Sequence, residues 1–174
     1  MTGAALARTA LVLLGALLLQ LTVGLSIVIG GAHPDVLLVL PIVTALVAGP
    51  TEGAVMGFVA GLVADLFVPA PFGLSALVGC LVGGAVGFVV PYSDRSPWWV
   101  PPVVALAASA GAVMLYAVLG AVLGDEQFLK LNLGAIVAVV AVTNALLAVP
   151  ALSVLRWSLG LSGAEGRRAA GGRW

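Results

Sequence analysis

Long apolar stretches alternate with short polar breaks along nearly the whole chain, and this alternation restricts its possible folds more than any other feature. The apolar runs cover residues 9–29, 36–48, 54–68, 74–90, 100–123 and 133–155. A membrane-crossing helix needs about 20 apolar residues, so six such runs with short connections use up a chain of 174 residues. Only 8% of the residues are charged and 62% are hydrophobic. A soluble domain is roughly one-quarter charged, so this chain lacks the polar side chains to coat a water-facing surface. The expected fold is an all-α integral membrane protein with six transmembrane helices, at 9–29, 35–48, 54–68, 74–90, 100–123 and 133–155. They would form one domain over residues 1–160, with 161–174 left as a flexible basic tail.

The first run is longer than the 7–15 residues usual for the apolar core of a signal peptide, roughly 21 here, and reads as a retained span. Runs two and three are short. At 1.5 Å per residue they reach only about 20 to 23 Å of a hydrocarbon core roughly 30 Å thick. Short full spans and a sheltered re-entrant hairpin both fit, and both return the chain to the side it left. The break at 49–53, Gly-Pro-Thr-Glu-Gly, is expected to be a turn because Gly and Pro punctuate helices. With six crossings and the N-terminus inside, the inner segments hold Arg8, Arg95, Arg156, Arg167, Arg168 and Arg173, and the outer loops only Lys130. That bias predicts that both termini face the cytoplasm.

Small residues recur at steps of four. Gly53, Gly57, Gly61 and Asp65 share one helix face, and Gly79, Gly83 and Gly87 form a second series. Such faces let helix backbones approach closely, the main packing device within a membrane. The neighbour is either another helix of this chain or a partner's helix. Asp65, within a turn of the outer end of its run, is expected to reach the interface as a structural residue or to contact a partner or ligand. Asp35, ahead of the second run, can accept bonds from free helix N–H groups and face the positive end of the helix dipole, and Glu52 invites the same reading. Gln20, Thr143 and Asn144, inside runs, are suited to hydrogen bonds between helices.

Nothing in the sequence is arranged for catalysis. It has no phosphate-binding Gly-rich loop, no paired Cys or His ligands and no zinc-protease motif. Ser75 and Ser109 have no base near them in sequence. His33 is the single histidine, and Cys80 the single cysteine, set in an apolar run. Seven basic residues balance seven acidic ones, which leaves no footprint for nucleic acid. Neither a cofactor nor a metal is expected.

From residue 34 to 83 a set of short motifs appears in order: Pro34-Asp35-Val36-Leu37-Leu38, then Gly49-Pro50 with Gly53. Gly57-Phe58-Val59-Ala60-Gly61-Leu62-Val63-Ala64-Asp65 follows, then Gly73-Leu74-Ser75-Ala76-Leu77. This ordered set resembles the rod shape-determining protein MreD family. The resemblance implies a non-enzymatic subunit of the bacterial cell-elongation machinery, in the cytoplasmic membrane. Its partners would be MreC and, through the complex, MreB and the glycosyltransferase and transpeptidase that extend peptidoglycan. It also implies a fold similar to the substrate-binding subunits of energy-coupling factor transporters. That kinship supplies the alternative expectation, a small-solute uptake subunit whose outer face gathers Asp65, Tyr116 and Asn132.

Overall fold

The computed structural model describes residues 3–24, 35–67, 71–90, 97–123 and 133–158. Among these the structure is all-helical, with six α-helices and no strand. Helix α1 (Gly3–Leu19) runs straight into a π-helical turn (Gln20–Gly24). It is followed by α2 (Val39–Ala48), α3 (Pro50–Asp65), α4 (Leu74–Val89), α5 (Val100–Val122) and α6 (Leu133–Ser158). His33, Arg95, Lys130, Asn132 and the tail at 161–174 lie outside the described residues.

Helix α1 begins at Gly3, six residues before the expected start at 9, and two further boundaries differ from the sequence expectation. The break at 49–53 is not a turn of five residues, because α3 already begins at Pro50. Proline suits the first helical position, where its missing N–H would have had no partner. Gly49 alone makes the corner, at φ 107°, in a region that L-residues rarely occupy. The second difference is α2, which starts at Val39 rather than at residue 35. Residues 36–38 form a tight turn instead, with the N–H groups of Val39 and Leu40 donating to the carbonyls of Val36 and Leu37.

Helix α2 is the centre of the molecule. Ile42, Val43 and Ala45 have no exposed surface at all, and Val39 and Leu40 are buried on the remaining sides. A helix whose one polar side chain is Thr44 has no polar face to present outward, so burial all round is its stable arrangement. Its 10 residues extend about 15 Å. Around it stand α3 and α4 as a hairpin and α5 and α6 as a second pair, with Ala105, Ala112, Ala148 and Leu155 completing the core.

The helix ends gather at two poles. At one pole Arg8 of α1 stacks on Trp157 of α6, Gly87 of α4 abuts Pro50 of α3, and Leu46, Val90, Pro101 and Arg156 line a shared cleft. At the other, the end of α1 bonds to the start of α2, and the end of α3 bonds to the start of α4. Successive helices therefore run in alternating directions, up to α6.

Helices α5 and α6, of 23 and 26 residues, are long and apolar enough to cross a membrane. Only 28% and 22% of their most apolar windows is buried, unlike the core helix of a soluble protein. Val118, Val122, Val142 and Leu146 all point outward, which suits lipid-like surroundings.

Candidate functional site

The most constrained part of the molecule is the α3–α4 hairpin, built from glycine upward. A Cβ added to Gly57 would collide with the carbonyl of Gly79, and one added to Gly61 with the carbonyl of Ser75. One added to Gly83 would strike the carbonyl of Gly53. Each step of four along α3 thus matches a step of four back along α4, the register of antiparallel helices. Both glycine series identified in the sequence face each other, and Gly87 extends the seam, since a Cβ there would come within 2.5 Å of Pro50 Cα. Backbone lies against backbone along the whole seam. No side chain can move aside to make room.

The helix α2 closes one edge of this seam, a contact without a glycine signal in its own sequence. Ala45 packs on Gly53, where an added Cβ would lie 2.5 Å from Ala45 Cβ, and Pro41 Cβ lies 3.1 Å from the position of a Cβ on Gly83. Residues 41 and 45 are one turn apart, so a small or compact side chain falls over each member of the Gly53–Gly83 contact.

Asp65 completes the seam at its far end. Its Oδ2 accepts from the N–H of Gly73 at 2.9 Å and of Ala76 at 3.3 Å, and its Oδ1 from the N–H of Ser75 at 3.1 Å. The first N–H groups of a helix have no partner within that helix, and here the preceding helix supplies one carboxylate for three of them. The positive end of the α4 dipole favours that negative charge. Asp65 is 6% exposed, so it turns inward to α4 instead of reaching out to the interface. Gly73 has a different task from the seam glycines. Nothing stands within 4 Å of its Cβ position, but its φ of 95° is strained for any other residue. That left-handed step brings its N–H onto Asp65.

Asp35 plays a smaller version of the same part, accepting from the N–H of Leu38 at 3.2 Å in the turn that leads into α2. Beside it, Gln20 Oε1 accepts from the N–H of Val36 at 2.6 Å, which ties the π-helical turn after α1 to the entry of α2. Glu52 stands exposed in the first turn of α3, placed to interact with the helix dipole.

Two further contacts join separate helices. Asn144 of α6 donates from Nδ2 to Ser109 Oγ of α5 at 2.9 Å, with both residues fully buried. The Asn144 position is legible as an interhelical polar residue, whereas its partner Ser109 carries no separate signal. Asn144 Oδ1 and Thr44 Oγ1 are buried without a hydrogen bond. The second contact is the Arg8 guanidinium, 5.4 Å from the centre of the Trp157 ring, a cation–π distance.

Chemically, this arrangement holds helices together. Asp65 spends its oxygens on backbone groups, and Cys80 is part-buried on α4. Among the described residues no three His, Cys, Asp or Glu side chains are grouped to hold a metal. No family model, curated protein or solved structure matches the chain.

Proposed function

We propose that this chain is a six-span, non-enzymatic scaffold subunit of the bacterial cell-elongation machinery, of the MreD type. It sits in the cytoplasmic membrane with both termini inside. One observation carries the reading: the residues that bear the resemblance are those that build the tightest unit of the fold. Gly53, Gly57 and Gly61 make the seam, Asp65 caps the next helix, and Gly73, Ser75 and Ala76 receive the cap. A rigid hairpin of this kind offers an apolar outer face, with Val55, Phe58, Leu77 and Leu81 exposed, on which membrane helices of MreC and of the glycosyltransferase–transpeptidase pair find a fixed surface. MreB joins through that complex. The fold in this reading is akin to the substrate-binding subunits of energy-coupling factor transporters, with the solute site given up. Asp65, which a solute-binding reading would place in an outer pocket, is engaged by three backbone donors.

Depletion tests the proposal. Cells lacking the protein are expected to lose normal shape or polar growth while vitamin and metal uptake stay intact, and a mild detergent extract is expected to retain elongation proteins. An uptake defect rescued by one nutrient, with normal wall growth, would overturn it.

A further inference from the structure

The pole that collects the starts of α1, α3 and α5 holds a cleft of about 270 Å³ between α2, α4, α5 and α6. Leu46, Val90 and Leu152 form apolar walls, Trp98 forms part of its rim, and Ser153 and Arg156 bring polar groups to it. Arg156 is only partly exposed, and among the described residues no carboxylate pairs with it. Glu52, at the same pole, is not among the residues of the cleft. Trp98 is 82% exposed, and Trp99 and Trp157 are also exposed at this end.

We infer that this cleft binds the headgroup of an acidic glycerophospholipid, with the phosphate on the Arg156 guanidinium. Three features converge on that ligand. A guanidinium fork matches a phosphate in a bidentate way, and the desolvating walls strengthen the pairing. Exposed tryptophans settle at headgroup depth, which puts Arg156 at the level of the phosphates. Basic pockets between spanning helices on the cytoplasmic side are the form that acidic headgroup recognition takes. Size also decides: drug-sized ligands fill roughly 300 to 1,000 Å³, so the cleft suits a headgroup with its acyl chains lying outside along α5 and α6. The inference rests on the proposed function only for the membrane setting and for which leaflet the lipid comes from.

The test uses the full chain in nanodiscs of equal phosphatidylglycerol and phosphatidylcholine, followed by native mass spectrometry of the released protein. Wild-type protein is expected to keep phosphatidylglycerol over phosphatidylcholine by about tenfold, the scale of one charge-assisted contact. Arg156→Gln should abolish that preference, Arg156→Lys should weaken it, and Arg8→Gln, at the same pole but outside the cleft, should leave it. Inorganic phosphate at millimolar concentration should not displace the lipid. Equal retention of the two lipids by the wild type would overturn the inference even if no variant folds. So would an equal loss in Arg8→Gln, which would mean attraction to general positive charge, or displacement by free phosphate. Selective retention by a protein whose depletion leaves cell shape unchanged would overturn the scaffold proposal and leave the lipid site standing.

Discussion

Gly57 and Gly79 meet backbone to backbone: a Cβ on Gly79 would lie 2.5 Å from the Gly57 carbonyl oxygen, and one on Gly57 would run into the Gly79 peptide. The two residues lie on consecutive antiparallel helices and allow α3 and α4 to approach to the limit that main chain permits. In a membrane, where apolar side chains gain nothing by leaving lipid for protein, such contact supplies the association energy directly.

Gly57→Ala is therefore expected to lower thermal stability in detergent. Overpacking generally costs about 1 to 3 kcal/mol, and the obstacle here is a helix backbone. Gly111 is the control, because nothing lies within 4 Å of its Cβ position. Gly111→Ala should be neutral or gain about 0.5 to 1 kcal/mol from helix preference. Equal effects of the two substitutions, read as shifts in melting temperature, would refute the seam.

Asp65→Asn removes one of two accepting oxygens and points an amide N–H₂ at backbone donors. Leaving a buried N–H unpaired costs about 1 to 3 kcal/mol, so this near-isosteric change is expected to destabilise measurably. Asp65→Ala, which strands all three N–H groups of Gly73, Ser75 and Ala76, should cost more. A thermal denaturation series that places Asn level with wild type would show that the cap contributes nothing.

Ser109 and Asn144 should be coupled. In a double-mutant cycle with Ser109→Ala and Asn144→Ala, the expected interaction is about 0.6 to 2 kcal/mol, the range of interhelical hydrogen bonds in membranes. Additive losses would mean that the 2.9 Å contact carries no net energy.

The proposed topology rests on the charge bias and on the placement of Arg8 beside Trp157, which brings the start of α1 and the end of α6 to one pole. In a Cys80→Ala background, a cysteine replacing Gln127 is expected to react with an impermeant thiol reagent in intact cells, and one replacing Glu165 to stay unlabelled. Both positions lie outside the described residues. The opposite labelling pattern would invert the molecule.

Much of the hairpin can be read directly from the chain. Glycine at steps of four on two adjacent runs marks close-packing faces because helix periodicity is local, and Asp65 is visible as the polar end of one of them. Its inward turn is not visible, because it depends on where Gly73 carries the chain after α3. The start of α3 at Pro50 is hidden for a related reason: Gly-Pro marks either a loop or a one-residue corner followed by a helix, and the choice depends on whether α2 and α3 pack against each other.

Composition and periodicity by themselves determine that the chain is helical, that its helices alternate with short breaks, and which helix faces carry small residues. These are properties of single elements, set by side-chain size and polarity along 3.6-residue turns. Partner choice is a property of the assembled bundle. Only the tertiary structure decides that the two glycine faces close on each other, that Ala45 and Pro41 cover the seam, that Ser109 is the partner of Asn144, and that α2 is enclosed at the centre. Each of those outcomes joins residues from different helices, and the sequence specifies the surfaces without specifying which one each will meet.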